Sequence, residues 1–139
     1  MIPSNTEKIT KPVADLWFSI EAFENDSLLI RESHIDPYAV GDIWIVRGRN
    51  CDLVIDTGSG MVAPAPLVEV ISGKKVTAVA LNDFYDHAGG WYSFSERACH
   101  PNDAPVLETF DVESNRVSDY LDDSTLWSVP SEGYRLEDY

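Results

Sequence analysis

Two apolar stretches that end in polar residues restrict the fold of this chain more than any other feature of its sequence. The first covers residues 52–56 and is followed by a Thr-Gly pair, and the second covers residues 75–81. Segments that are apolar on both faces are typical of central β-strands. A helix is predicted between them over 61–72, because prolines are tolerated in a first turn and Gly73 provides a stop signal. The functional side chains are expected where these two strands end.

The other predicted elements surround this strand, helix and strand. In chain order they are strands over 16–23 and 27–31, a hairpin strand over 43–47, a helix over 88–99, a strand over 105–108 and a helix over 111–121. An antiparallel start followed by alternating helices and strands predicts an α/β fold, with a mixed β-sheet and helices packed on it.

The composition limits the size and the partners of the protein. A chain of 139 residues is expected to form a single domain, 1–139, and its 44% of hydrophobic residues can supply a core. The formal charge of −14 opposes binding to nucleic acid, because that affinity depends on basic side chains. No apolar segment is long enough to span a bilayer, and the N-terminus does not resemble a signal peptide. We therefore expect no membrane association and a cytoplasmic protein with reduced cysteines.

Each of the two apolar strands leads into a polar motif. Asp56 follows the first strand, and a carboxylate in that position is typical of a structural turn. The second strand leads to Asp86 and His87, which are followed by Gly89 and Gly90. An isolated Asp-His pair usually caps a helix, yet both side chains are also good ligands for zinc-like cations. The two glycines favour a site that another group approaches closely, because glycine is a poor helix former.

Together these motifs resemble the metallo-β-lactamase superfamily. Its chains pass through an antiparallel start, a strand that ends in Asp-Thr-Gly, a helix, and a strand that leads to the motif Thr-His-x-His-x-Asp-His-x-Gly-Gly. The resemblance covers roughly 16–110, and Asp86, His87, Gly89 and Gly90 all match the motif. It implies that Asp86 and His87 are ligands of the family's second metal.

The sequence departs from this motif at its beginning. The two leading histidines fall on Asn82 and Phe84, and the preceding threonine falls on Leu81. Phe84 cannot bind a metal, and Asn82 offers a neutral oxygen that is at best a weak ligand. The resemblance therefore implies that the usual first metal site is not encoded, and it leaves Asn82 with Asp56, Gly89 and Gly90 as supporting residues.

The resemblance also implies that the chain corresponds to half of a larger structure. Family members resemble an αββα sandwich of two similar halves, and residues 16–110 match the N-terminal half. Residues 1–15 form a polar lead, and residues 111–139 are expected to form an acidic helix and tail. Such a half exposes an apolar face, for which Trp91, Phe94 and Trp127 are candidates. We therefore expect a homo-oligomer, or pairing with a missing C-terminal half.

The number of predicted metal ligands is small. A catalytic zinc ion needs about three protein ligands and a water molecule, and Asp86 with His87 supplies two. His34 and His100 are weaker candidates, because a single histidine is more often a surface or capping residue. The implied cofactor is a divalent metal, with zinc ahead of iron or manganese.

Three functional hypotheses follow. In the first, the protein is a metal-dependent hydrolase of a small-molecule substrate, in which a metal held by Asp86 and His87 activates water and Asp86 orients that water. In the second, the metal site is lost, and the fold survives as a non-catalytic remnant or binding domain. In the third, Asp56 with the following Thr-Gly is the catalytic stretch of a dimeric aspartic protease, where two carboxylates share a proton.

Overall fold

A computed structural model of the protein describes residues 16–35, 37–38 and 40–110. These residues form one six-stranded sheet whose strands lie side by side in chain order. The strands are β1 (Phe18–Ala22), β2 (Leu28–Glu32), β3 (Ile43–Val46), β4 (Cys51–Ile55), β5 (Lys75–Ala80) and β6 (Arg97–Cys99). The helices are α1 (Ala65–Ser72), α2 (Tyr85–Ala88) and α3 (Ala104–Leu107), with a 3-10 turn at Trp91–Ser93. The predicted α/β fold with a mixed sheet is confirmed.

The direction of pairing changes at β4. Strands β1 to β4 are antiparallel, whereas β4, β5 and β6 are parallel. Helix α1 connects β4 to β5, as a parallel pair requires, and it ends at Gly73 with a φ of 67°. Parallel pairing brings the carboxyl ends of β4 and β5 to the same edge of the sheet. The two predicted motifs therefore meet there.

One face of the sheet carries the core. Ile30, Ile43, Ile45, Val54 and Ala78 are neighbours on this face and are fully buried. Helix α1 packs on it through Ala65 and Val68. Complete burial of a side chain such as Val68 stabilises the fold by roughly 1.5–3 kcal/mol.

The opposite face is less covered within the described part of the chain. Trp44 pairs with Ile55 and Val46 pairs with Leu53 across β3 and β4. Val46 is 40% exposed and Leu53 is 42% exposed, while Trp44 and Ile55 are half-buried. An apolar sheet face is therefore accessible, although its residues differ from those that the sequence indicated.

Three sequence-based predictions are corrected after β5. The segment 88–99 is not one helix, because the helical path ends at Gly90 and Arg97–Cys99 pairs with β5. The segment 105–108 is not a strand, since Pro105 lies in the first turn of α3. Trp91 and Phe94 do not lie on an exposed face but are only 5% and 3% exposed in the core.

Some predictions concern residues that the structure does not describe. The helix over 111–121, Trp127 and the polar lead over 1–15 lie outside the described ranges.

Cys51 and Cys99 are free thiols. None of the helices in the described ranges combines the length and hydrophobicity needed to cross a membrane.

Candidate functional site

The ends of β4 and β5 bring a carboxylate and an imidazole into contact. Asp56 Oδ2 lies 2.7 Å from His87 Nδ1, and Asp56 Oδ1 accepts a hydrogen bond of 2.9 Å from the Leu81 amide. Asp56 is 6% exposed and has a φ of 60°, which is unusual for a residue other than glycine. This backbone conformation turns the chain sharply after β4, and the carboxylate reaches across to β5 and α2.

The contact with Asp56 determines how the His87 ring is oriented. An ionised carboxylate only accepts hydrogen bonds, so Nδ1 is the donor and Nε2 carries the free lone pair of the neutral ring. Nε2 lies 3.5 Å from Asp86 Oδ2, and the His87 side chain is 35% exposed. Burial lowers the pKa of His87, but the hydrogen bond from its ring to Asp56 and the charges of Asp56 and Asp86 raise it more. The net effect is a raised pKa.

The loop from Asp56 to Gly60 packs closely against α2. The Thr57 amide and hydroxyl both donate to the His87 carbonyl, at 2.6 and 3.1 Å. A Cβ atom on Gly60 would lie 2.2 Å from the Gly89 carbonyl oxygen, and one on Gly89 would lie 2.0 Å from the Ser59 oxygen. The backbones touch where these glycines lie, so larger residues have no space there.

The other predicted site residues lie apart from this contact. Asn82 Oδ1 accepts the Phe84 amide at 2.9 Å, which is a local turn, and the Phe84 side chain is 68% exposed. His34 Nε2 lies 3.1 Å from the Leu16 carbonyl oxygen, and its ring is 5.5 Å from that of Trp17. His100 Nδ1 accepts the amide of Asn102. Both histidines therefore have local contacts with the backbone.

The donor set at His87 and Asp86 fits part of a metal coordination shell. Two ligands of a tetrahedral zinc ion at about 2.0–2.1 Å lie roughly 3.4 Å apart, and Nε2 and Oδ2 are 3.5 Å apart. A carboxylate that binds the other ring nitrogen is also common among histidine ligands of metals. Within the described ranges, no group of three or more His, Cys, Asp or Glu side chains is arranged to hold a metal. The described residues thus offer two of the ligands that a complete zinc site would need.

A cleft of about 790 Å³ opens beside these ligands. Trp44 and Ile55 contribute an apolar wall from the less covered sheet face, and Asp86 and His87 line the cleft too. The remaining lining residues are Ser19, Arg31, Glu32, Ser33, Ile35, Pro37, Val40, Gly41, Asp42, Asp56 and Leu81. The cleft therefore combines one apolar wall with a lining of which about half is polar or charged, so it can contact both apolar and polar parts of a ligand.

Sequence reasoning did not identify two charged residues near this cleft. Arg31 forms an ion pair with Asp42, in which Nε and Oδ1 are 2.7 Å apart. Glu32 is 2% exposed and contacts the loop after β4. The sequence held one signal for Glu32, namely an acidic residue at the end of an apolar strand. Its partners are far along the chain, and no local pattern predicts them.

Comparison with known proteins gives relatives that contain a similar region. The chain is 28% identical over 135 residues to the human acyl-coenzyme A thioesterase MBLAC2, covering 88% of this chain and 48% of the relative. It is 29% identical over 132 residues to the chicken protein of the same name, covering 88% and 47%. The chain therefore spans about half the length of the curated relatives it matches. No family model matches the chain.

Solved structures with a similar fold are metallo-β-lactamases. The enzyme FIM-1 from Pseudomonas aeruginosa, in its mono-zinc form, has a TM-score of 0.54 at 15% identity, covering 68% of this chain and 46% of that one. The enzyme TMB-1 also has a TM-score of 0.54 at 15% identity, covering 73% and 50%. At this level of identity the likeness concerns the fold.

Proposed function

Because the chain is related to the metallo-β-lactamase superfamily, we propose that it acts as a metal-dependent hydrolase, with Asp86 and His87 as ligands of a divalent ion. Zinc is the first choice and iron or manganese are the alternatives, since an imidazole with a carboxylate suits all three. The observation that carries the proposal is the alignment of His87, whose Nδ1 is held by Asp56 while Nε2 lies beside the Asp86 carboxylate. Both groups line the cleft.

The substrate class that we propose is an acyl thioester. The support is the name of the relatives, which are acyl-coenzyme A thioesterases, together with an apolar wall that suits an acyl chain. Hydrolysis adds water across the C–S bond, so that the acyl carbon gains an oxygen as a carboxylic acid and the sulfur leaves as a thiol. Trp44 and Ile55 would lie along the acyl chain and exclude bulk water from it.

The residues of this chain have distinct tasks in the proposed reaction. When bound, the divalent ion supplies a nucleophilic water near neutral pH and polarises the scissile carbonyl. Asp86 would hold the ion together with His87, and its carboxylate would orient a water molecule beside it. Asp56 holds the His87 ring in one tautomer and one orientation, and it would thereby direct Nε2 towards the ion.

The proposal requires further ligands from outside the described residues. A second copy of the chain, or a segment that corresponds to the other half of the relatives, would supply them and cover the apolar sheet face. A homo-oligomer is the simpler form of this proposal. Light scattering after size-exclusion chromatography should then give at least twice the mass of one chain. A stable monomer that still binds the metal in full would contradict it.

Metal content and hydrolysis test the proposal together. Protein purified without chelators or a histidine tag should contain about one divalent ion per site, and His87→Ala should lose it, whereas His100→Ala should retain it. Hydrolysis of a long-chain acyl thioester should stop when a chelator is added and return with zinc. Retention of the metal by His87→Ala would reject the site.

The second candidate is a non-catalytic domain of the same fold. The observation that favours it is the absence of imidazoles at Asn82 and Phe84, which the family uses for its first metal. Folded, metal-free protein without thioesterase activity would support this candidate. Among residues 16–35, 37–38 and 40–110 no contact favours the aspartic protease, because the Asp56 carboxylate pairs with His87.

A further inference from the structure

The loop after β4 has a backbone that needs support from other residues. Asp56, Gly58 and Gly60 have φ values of 60°, 66° and 75°, so three residues of the loop are left-handed. For Asp56 this conformation is less favourable than for glycine, because its Cβ approaches the following carbonyl oxygen. A loop of this kind has no regular ladder of hydrogen bonds, and its position depends on side chains that hold it.

Glu32 provides that support from the end of β2. Its Oε2 accepts the Ser59 amide at 2.8 Å, and its Oε1 accepts the Ser59 hydroxyl at 2.6 Å. Oε1 also accepts the Trp17 indole N–H at 3.2 Å. The carboxylate is buried and every partner is a donor, so both backbone and side chain of Ser59 are bound to one rigid group.

The loop backbone is shaped to fit this carboxylate. A Cβ atom on Gly58 would lie 2.8 Å from Glu32 Oε2 and 3.0 Å from the Ile43 side chain. The carboxylate therefore lies directly against the turn, and the glycine allows the approach as well as the positive φ.

Ser59 transmits this restraint to the site in two directions. Towards the start of the loop, Thr57 binds the His87 carbonyl and Asp56 binds the ring. Across the loop, the Ser59 carbonyl lies against Gly89, where a Cβ would be 2.0 Å away. A shift of Ser59 therefore moves Asp56 relative to His87.

We propose that Glu32 is a positioning residue, which sets the Asp56–His87 contact by holding Ser59 and thereby aligns Nε2 of His87 for its ligand. The proposal rests on the proposed function only for the identity of that ligand as a metal ion. The alignment itself is a property of the chain and is measurable without metal.

Glu32→Gln is the decisive substitution, because an amide cannot reproduce the pattern. If its oxygen faces Ser59 N–H, its NH₂ group faces the indole N–H of Trp17. If the amide is reversed, its NH₂ group faces the Ser59 N–H instead. Each orientation sets a donor against a donor, while the volume of the side chain is almost unchanged.

Trp17→Phe is the matched control. It removes the indole donor from the same buried cluster and leaves both Glu32–Ser59 hydrogen bonds in place. A loss of stability without a change at His87 is expected. If Glu32 acts only through general stability, the two variants will behave alike.

The first readout is the His87 imidazole in metal-free protein. Nitrogen-15 NMR at pH 8 should show the Nδ1–H tautomer for His87 in the unmodified protein and in Trp17→Phe. In Glu32→Gln the signal should move towards a mixture of tautomers. An unchanged His87 signal in folded Glu32→Gln would overturn the proposal. If Glu32→Gln does not fold, Ser59→Ala replaces it, since it loses the hydroxyl bond and should shift the signal in the same direction; an unchanged signal there also overturns the proposal.

The second readout is zinc affinity at a temperature where all variants are folded. Loss of an orienting contact around a metal ligand typically weakens binding about 10–100-fold, and we expect this for Glu32→Gln and not for Trp17→Phe. Equal affinities in both variants would contradict the proposal. Should the unmodified protein bind no zinc, the proposed function fails, and the NMR comparison still decides the role of Glu32.

Discussion

The two ends of β4 carry one buried aspartate each, and the pair shows how the same residue type serves different purposes. Asp52, near the start, accepts three hydrogen bonds, from the Gly48 amide, Arg47 and Ser72, and forms an ion pair with Lys74. Its side chain is fully buried. Asp56, after the end of the strand, binds one amide and the ring of His87, and that ring is partly exposed.

The two sites differ in whether a polar group remains available to bind a further ligand. At Asp52 both oxygens are saturated, and Arg47 continues to the last carbonyls of α1, so strand and helix are fastened together. At Asp56 the carboxylate is bound, but the far nitrogen of its partner points to a cleft. The first end of the strand therefore stabilises the fold, and the other end orients a group that can bind something else.

The largest contrast is expected between two glycines, Gly60 in the loop after β4 and Gly73 at the end of α1. Gly60→Ala should destabilise the protein by about 4 kcal/mol or more. The new Cβ would lie 2.2 Å from the Gly89 carbonyl oxygen, and alanine also disfavours the positive φ at this position. In Gly73→Ala the new Cβ has no atom within 4 Å, so the positive φ is the one unfavourable factor. This substitution should cost about 1–2 kcal/mol. Urea unfolding of both variants measures the difference. Equal losses would show that the backbone contact at Gly60 is not tight.

The next effect is the loss of Asp52. In Asp52→Asn the amide nitrogen faces donors that the carboxylate accepted, so we expect a loss of about 2–4 kcal/mol in the free energy of unfolding. Urea denaturation at pH 7 measures it. The His87 NMR signal should remain as in the unmodified protein, and a change there would mean that the two ends are coupled.

For Asp56→Asn we expect a small loss of stability and a large loss of zinc affinity, the reverse of Asp52→Asn. Asparagine tolerates the positive φ and can still accept the Leu81 amide, so stability should fall by less than in Asp52→Asn. Zinc affinity should fall about 10–100-fold, because His87 loses the carboxylate that orients it. A competition titration with a chromogenic chelator gives the affinity. Unchanged affinity would remove Asp56 from the site.

The smallest expected effect is the change in the free energy of unfolding at acidic pH. Burial alone would raise the pKa of Asp52, but its hydrogen-bond donors outweigh burial and hold the pKa far below the usual 3.8. A lowered pKa in the folded state contributes stability above the unfolded pKa, and this stability is lost as the pH falls. The free energy of unfolding should therefore decline below about pH 4–5. Asp52→Asn should show a shallower decline, and parallel curves would contradict this assignment.

The sequence predicted this contrast only in part. The strands around Asp56, and the approach of β5, followed from apolar patterns and chain order. Gly89 and Gly90 indicated that another group approaches closely, and the loop after β4 is that group, but the glycines alone did not reveal its identity. A helix over 88–99 was therefore predicted where Arg97–Cys99 adds a strand.

Long-range side-chain contacts were beyond local patterns. Glu32 and Ser59 are 27 residues apart, and Asp52 and Ser72 are 20 apart. Nothing in their immediate neighbours distinguishes a buried acceptor from a surface charge. The departure from the family motif needs no structure, since Asn82 and Phe84 stand in the sequence where the motif has histidines.

The strand order of the sheet has a consequence for how the molecule assembles. Within the described ranges each strand pairs with the one before it, and none crosses to a distant position. Pairing neighbours closes short loops, which costs little chain entropy and favours rapid folding. The antiparallel meander can grow hairpin by hairpin. The cleft residues meet only when β5 docks beside β4, so the site takes shape only after the chain that holds α1 has closed this parallel pair.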